Sequence, residues 1–384
     1  MSGAWGLRQA LVDELCGARC LTSARLEAAL RSVPRHLFLP HVPVATAYRN
    51  EVVPLRLHQG IPVSTASTPE IVAIMLEQLG LEPGHRVLEI GAGSGYAAGL
   101  IAEVVGRGGR VVTIDLDEDL AALARRNLDA AGFEHVRVVA ADGMLGDPDD
   151  GDFDRIIATV GAWDIAPAWR RQLAAGGRLV VPLSLRGPQR SIAFASAGER
   201  LHSTSIENCD FVWLRGELAG PGRRLPLGAA SGLSVWLDDD RPVDPAALYA
   251  RLRAPAGAQP SGVVTTGPEV FGGLLLWLAL HDPGYCEVFH AGSGPDADLV
   301  PGLFGVAGRY RRTSGVLAGG HAVSARSPVR AALHAVRTRR AVRARRDRLR
   351  GGRRHGRPSA GRRPRVGRRG SAGDDRAPRA RRAS

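Results

Sequence analysis

Three glycines at alternate positions, Gly91, Gly93 and Gly95, follow the apolar run "RVLEI" (86–90) and precede "YAAGLIAEVV". Glycine at this density is needed where backbone takes a positive φ or passes close to a ligand. A tight strand-to-helix turn would use such glycines. So would a loop holding a dinucleotide, a phosphate or another nucleoside cofactor. The neighbouring acids narrow the choice. Glu89 stands two residues before the first glycine, at the carboxyl end of its run. Asp115 ends the next β-rich run, 22 residues after Gly93, where an acid can accept both ribose hydroxyls. Asp142-Gly143 ends the third, placed to contact an adenine. Dinucleotide loops read G-x-G-x-x-G and seat a pyrophosphate on the helix N-terminus; the spacing here is G-x-G-x-G. A carboxylate at Glu89 repels a diphosphate and suits a cofactor carrying a sulfonium and an ammonium charge.

These residues must be held by alternating strands and helices. Between about 84 and 197, β-rich runs ("RVLEI", "RVVTID", "VRVVAAD", "RIIATV", "GRLVVPL", "SIAFAS") alternate with the helical patterns "AAGLIAEVV", "EDLAALARRNLDAAG" and "APAWRRQLAAGG". This alternation predicts an α/β fold with a doubly wound, mostly parallel sheet. Ligands of such sheets sit outside the carboxyl ends of the strands. Two helices are expected ahead of it (8–16 and 24–32), followed by an ordered loop region rich in proline, histidine and aromatics that covers one end of the sheet. His36, His41 and His58 in that region read as surface or packing residues.

Composition divides the chain. All 51 basic residues other than histidine are arginine, and 25 of them fall in 309–384 beside only three acids. The body is therefore mildly acidic, and the basicity belongs to one tail. The expected organisation is a cofactor-binding domain over 1–218, a smaller α+β unit over 219–308 and an Arg-rich tail over 309–384. "PGRRLPLG" reads as a linker, and "SGLSVWLDD", "SGVVTTG" and "CEVFHAG" as strands of the smaller unit. After Tyr310 the tail has no aromatic residue, isoleucine or methionine, so it is expected to be disordered. It reads either as an arm for an acidic partner or as a GC-rich gene translated out of frame. The four cysteines lack the spacing of a metal site, and no metal is expected. No apolar run reaches the roughly 20 residues a membrane span needs. The N-terminus does not read as a signal peptide. A cytoplasmic monomer is the expected state.

"VLEIGAGSGY", "VVTIDLDEDLAALARRNL" and "LAAGGRLVVPL" resemble the motifs of S-adenosylmethionine-dependent methyltransferases of the Rossmann-like class I fold. The resemblance implies S-adenosyl-L-methionine as cofactor, held by Glu89, Gly91, Gly93, Gly95, Asp115, Asp142 and Gly143. "PRHLFLP", "AYRNEVVPL", "STPEIVAIMLEQLGLEPGHRVLEIGAGSGY" and "FDRIIATVGA" resemble the protein-L-isoaspartate O-methyltransferases more narrowly. That family methylates the free carboxylate of isoaspartyl residues in damaged proteins, so a protein or peptide carrying isoaspartate or aspartate is the implied partner. The family's loop G-Q-x-I-S-x-P carries its active-site serine onto Ser67. The loop here is three residues longer from Gly60 to Pro69, and Ile61 stands in place of the glutamine, so Ser64 is a second candidate. Thr159 and Trp163, after the fourth strand of the alternation, are the expected substrate contacts.

The stretch beyond 218 resembles a branch of the family that methylates an aspartate of a ribosomal precursor peptide, so repair and peptide tailoring are both implied. A third reading is a cofactor-binding protein without catalysis that meets RNA through its tail. Amino-methylating RNA enzymes carry Asn/Asp-Pro-Pro-aromatic after the fourth strand, where this chain reads "ATVGAWD". Nucleic acid is thus expected only through the arginine tail.

Overall fold

The computed structural model describes residues 3–58, 60–149, 151–228, 231–253, 270–290 and 311–313. All of these lie in one compact unit, Met1–His334. The N-terminal layer comprises α1 (Gly3–Gly17), α2 (Ala24–Ser32), a 3-10 turn at Arg35–Phe38, α3 (Val44–Ala47) and a hairpin of β1 (Val53–His58) and β2 (Ile61–Ala66). There follow α4 (Pro69–Leu79), β3 (Arg86–Ile90), α5 (Tyr96–Val105), β4 (Arg110–Asp115), α6 (Glu118–Ala130), β5 (Arg137–Ala140), β6 (Phe153–Ala158), α7 (Pro167–Gln172), β7 (Leu173–Ser184), β8 (Gln189–Ala197) and β9 (Arg200–Asn208).

β3 to β9 form one seven-stranded sheet in the order β5-β4-β3-β6-β7-β8-β9. Its first five strands are parallel, and β8 and β9 run antiparallel. The parallel strands β3 and β4 are buried on both faces, which is why "RVLEI" and "RVVTID" read as nearly unbroken apolar runs. The chain leaves β3 toward β4 and β5, then returns to lay β6 on the other side of β3. The switch point is therefore between β3 and β6, and a crevice opens there at the strands' carboxyl ends. Two apolar clusters pack the faces: one holds Phe38, Tyr96 and the α1, α2, α4 and α5 residues, and the other holds Trp169, Phe153 and Leu179.

Several expectations need correction. The segment read as an ordered loop contains the β1–β2 hairpin. Its alternation is masked by Pro54 and Pro62 and by register irregularities between Pro54 and Leu57. The helix expected over "APAWRRQLAAGG" stops at Gln172, because Leu173 already pairs with Phe153 of β6. Tertiary pairing there overrides a run of good helix formers. β9, a mostly exposed edge strand, gave no apolar alternation to find.

"PGRRLPLG" is not a linker: β10 (Arg223–Leu227) starts a four-stranded antiparallel sheet with β11 (Leu233–Leu237), β12 (Glu287–His290) and β13 (Arg311–Thr313). Leu225 and Leu227 pack in its core with Leu233, Val235 and Val288, beside α8 (Pro245–Arg253). Arg311–Thr313 belongs to the tail expected to be disordered, yet it pairs along β12, a backbone interaction that needs no apolar side chain. "SGVVTTG" and the rest of the tail lie outside the described residues. Among the described residues no helix is long and apolar enough to cross a membrane.

Candidate active site

The crevice at the switch point is an open cleft of about 990 Å³, the solvent at its mouth included. One wall is the loop after β3. Gly91, Gly93 and Gly95 have φ of 100°, 52° and 86°, all in the left-handed region that only glycine enters freely. A Cβ on Gly91 would lie 2.9 Å from Thr159 Oγ1 and from Val160 Cγ1. The loop is pinned to its neighbours: Gly91 and Ala92 donate N–H bonds to Ile114 O. The Thr159 hydroxyl donates to Gly91 O at 2.7 Å. Gly95 then caps α5, whose first residue, Tyr96, is buried in the cleft wall.

Two acids line this wall. Glu89 is 1% exposed and accepts the Thr113 hydroxyl at 2.6 Å. Burial pushes its carboxyl up to about 8, against the hydrogen bond from Thr113 and with the nearby Asp115 adding to the rise. Asp115 accepts the Gly93 N–H at 2.9 Å and the Asp117 N–H at 3.2 Å. Its carboxyl is also raised, by burial first of all. Among the described residues no arginine or histidine forms an ion pair with Glu89 or Asp115. Two buried acids with no ion-paired cation, Arg215 reaching Asp115 only through space, make this end of the cleft suit a cation better than a diphosphate. A nucleoside cofactor bearing sulfonium and ammonium charges fits these residues, which offer glycines that allow close backbone approach and an acid at the end of β4.

The opposite wall comes from β2 and the turn into α4. Ser64, Thr65, Ala66 and Ser67 all line the cleft. Ser64 is buried on β2, whereas Ser67 lies just before the helix. The α4 N-cap is Thr68, whose hydroxyl accepts from Ile71 N, with Pro69 at the first turn. The cap duty therefore leaves the Ser67 hydroxyl unclaimed by the helix.

The residues lining the cleft include Gly143 and Trp213 but not their neighbours Asp142 and Trp163. Asp142 ends the β5 turn, accepting N–H bonds from Met144 and Glu217, each at 2.9 Å. Its neighbour Gly143 does line the cleft, and the Gly143 carbonyl accepts the Trp169 indole N–H at 2.8 Å. Trp163 stacks on Trp213, with ring centroids 4.2 Å apart. Trp213 is the indole that lines the cleft. Thr159, by contrast, lines it as expected from its place after β6.

The remaining wall, Phe211–Arg215, was missed by sequence reasoning. Its strand-like pairing to Gly161 is a local bridge, Gly161 N to Val212 O and Leu214 N to Gly161 O, both 2.8 Å. Arg215 pairs with Asp117, which Arg56 of β1 also meets at 2.9 Å. The Arg215 bond above all holds the Asp117 carboxyl below the usual range. One acid thus ties the hairpin and the 211–215 wall together beside the cleft. Trp213 is also near-parallel to Trp236 of β11, at 5.6 Å and 2°. Trp236→Ala is expected to lower the unfolding free energy by about 2 kcal/mol, the cost of deleting a half-buried, stacked indole. Urea titration followed by far-ultraviolet circular dichroism measures it, and an unchanged midpoint would show that the stack carries no packing energy.

Comparison with known proteins agrees with this geometry. A profile of the protein-L-isoaspartate(D-aspartate) O-methyltransferase family matches residues 7–219. The protein-L-isoaspartate O-methyltransferase of Methanopyrus kandleri is 40% identical over 213 residues, 55% of this chain and 92% of its own. That of Herpetosiphon aurantiacus is 39% identical over 233 residues, 60% of this chain and all of its own. A solved structure of a protein-L-isoaspartate O-methyltransferase superposes with a TM-score of 0.52 at 30% identity, covering 57% of this chain and 73% of that one. The glycine loop at the β3–β6 switch point, the two buried acids and the serines facing them occur within the matched span: this chain belongs to the protein-L-isoaspartate(D-aspartate) O-methyltransferase family.

Proposed function

We propose that the chain transfers a methyl group from S-adenosyl-L-methionine to the free carboxylate of an L-isoaspartyl residue in a protein or peptide. The observation that carries the reading is one cleft with two unlike walls, buried acids and glycines on one side and the Ser64–Ser67 segment on the other. Glu89, Gly91, Gly93, Gly95, Asp115 and Gly143 would hold the cofactor, with Asp142 fixing the turn that presents Gly143. When bound, the cofactor supplies an electrophilic methyl on a cationic sulfur. The acceptor needs no general base, because a carboxylate with a pKa near 4 is already ionised at neutral pH. The protein's task is then positioning and exclusion of water. The Ser67 hydroxyl is assigned to one carboxylate oxygen, leaving the other free to react; Ser64, deeper on β2, is the alternative. Thr159 is assigned to the wall that the acceptor passes, through its bond to Gly91 O. Trp163 is assigned an indirect role, behind Trp213. The resulting ester is a better electrophile than the carboxylate, so the neighbouring backbone amide of the substrate can close on it to a succinimide.

Ser67→Ala is expected to lower kcat/KM on an isoaspartyl peptide by about 10- to 100-fold, the range for losing a hydrogen bond to a charged group. The dissociation constant of S-adenosylhomocysteine, read by calorimetry, should stay unchanged. If Ser64→Ala shows the larger loss instead, the two serines exchange roles.

A second reading, a dedicated peptide substrate, is favoured by one feature. Trp236 lies outside the family's matched span and stacks on Trp213 in the cleft wall. Turnover on generic isoaspartyl peptides with labelled cofactor supports general repair. Turnover only on an aspartyl precursor peptide would favour tailoring.

A further inference from the structure

Arg35 is a buried cation for which the described structure offers no anion. It opens the 3-10 turn Arg35–Phe38 and is 1% exposed. Its Nε donates to Ala47 O at 2.9 Å, and its Nη2 donates to Ser67 O at 2.8 Å. The guanidinium sits over the Tyr96 ring, 4.7 Å from the centroid, and Tyr48 is its other close ionisable neighbour. Among the described residues no carboxylate forms an ion pair with it. Arginine keeps its charge when buried, and a guanidinium out of water is costly unless an anion meets it. Arg35 also lines the cleft, bonded to the carbonyl of Ser67, while Glu89 and Asp115 line the other wall. The cleft therefore has a cation with no ion-paired anion at the serine wall and two buried acids at the glycine wall, where Arg215, paired to Asp117, acts on Asp115 only through space.

We propose that Arg35 is the carboxylate-binding group of the cleft, its missing countercharge being supplied by a ligand. Arginine's planar guanidinium matches a carboxylate; of its five N–H donors two go to Ala47 and Ser67 and the Tyr96 side chain takes part in a further hydrogen bond, which leaves two for a ligand. Two carboxylates have the right chemistry, that of the isoaspartyl acceptor and that of the cofactor's amino-acid end. The inference rests on the methyltransferase reading for the identity of both ligands. On the acceptor arm it has a kinetic consequence. Methylation turns the carboxylate into a neutral ester, so the attraction to Arg35 disappears in the product.

The test uses the full chain and calorimetric binding in two ligand pairs. One pair is an isoaspartyl peptide and its isoasparaginyl (α-carboxamide) counterpart, each with S-adenosylhomocysteine present. The other is S-adenosylhomocysteine and its decarboxylated counterpart. The wild-type chain is expected to prefer the carboxylate member at least 10-fold in one pair, and that pair identifies the source. Arg35→Met should cut this preference at least 10-fold while changing affinity for the member that lacks the carboxylate less than 3-fold. Arg35→Lys, which keeps a charge but not the fork, should retain part of it. Equal weakening of the members with and without the carboxylate in Arg35→Met would show a purely structural latch on Ser67 and overturn the proposal. Should Arg35→Met not fold, the wild-type pairs still decide, since no carboxylate preference in either pair overturns it. A chain that methylates isoaspartyl peptide yet shows no preference refutes Arg35 alone; a chain that transfers no methyl refutes the underlying reading instead.

Discussion

Replacement of Asp115 by alanine is expected to weaken S-adenosylhomocysteine binding by about 100-fold while leaving the fold intact. The Asp115 carboxylate ends β4 and accepts the Gly93 and Asp117 N–H groups, so it sets the glycine loop as well as facing the cleft. Hydrogen bonds to a charged group each contribute about 1.5–3 kcal/mol, and 1.4 kcal/mol is a factor of ten. Loss of one ribose-facing partner together with a loosened Gly93 gives the expected factor. Global stability should change little, because burial already raises the Asp115 carboxyl and its removal relieves that cost. Asp115→Asn, whose amide oxygen can still accept, should lose less. Calorimetry with S-adenosylhomocysteine measures the first effect and thermal denaturation the second. Undiminished affinity in Asp115→Ala would remove Asp115 from the cofactor site.

Glu89 should make the ligand-free protein less stable as pH rises from about 5 to 8. Its carboxyl is pushed from 4.5 up to about 8 in the folded chain. Between those values the folded state holds a proton that the unfolded state has lost. The stability slope with pH is therefore negative in this window. The cost is absent below the unfolded value, grows through the window and levels off above about 8. At 1.36 kcal/mol per unit it amounts to at most about 5 kcal/mol. Asp115 contributes in the same direction through its own raised carboxyl. Glu89→Gln, neutral at every pH, should flatten the slope and be the more stable chain at pH 8. It should also bind the cationic cofactor more weakly, since no charge can form there to meet it. Urea titrations at pH 5, 6.5 and 8 read the slope. Parallel pH profiles in the two chains would contradict a buried, neutral Glu89.

The half of the fold between β3 and β8 was legible because its physics is local. Parallel strands buried on both faces leave short apolar runs, and glycines with positive φ leave a visible spacing. That is why Gly91, Gly93, Gly95, Glu89 and Asp115 could be placed together from sequence. The serine wall was legible only by resemblance, since neither Ser64 nor Ser67 has a local pattern that separates cleft from cap. Arg35 and Trp213 were harder still. Arg35 reads as one arginine among 51, and nothing short of the folded chain shows it buried beside Ser67. Trp213 reaches the cleft through a two-bond bridge to Gly161, too short to imprint an alternation. Asp142 and Trp163 were placed in the cleft on the logic of strand ends. The first accepts the Met144 and Glu217 amides, and the second stacks on Trp213. β10 was hidden by a composition of arginine, proline and glycine that ordinarily marks a linker.

The central claim is carboxyl methylation at an isoaspartyl residue, and base lability reads it most directly. The purified chain is incubated with methyl-labelled S-adenosylmethionine and matched peptides carrying isoaspartate, aspartate or isoasparagine at one position. Label is predicted to enter the isoaspartyl peptide and to leave as volatile methanol on mild alkali, with a succinimide appearing in the peptide's mass. Base-stable label, or equal label in the isoasparaginyl peptide, would contradict the account, because neither can come from a carboxylate ester.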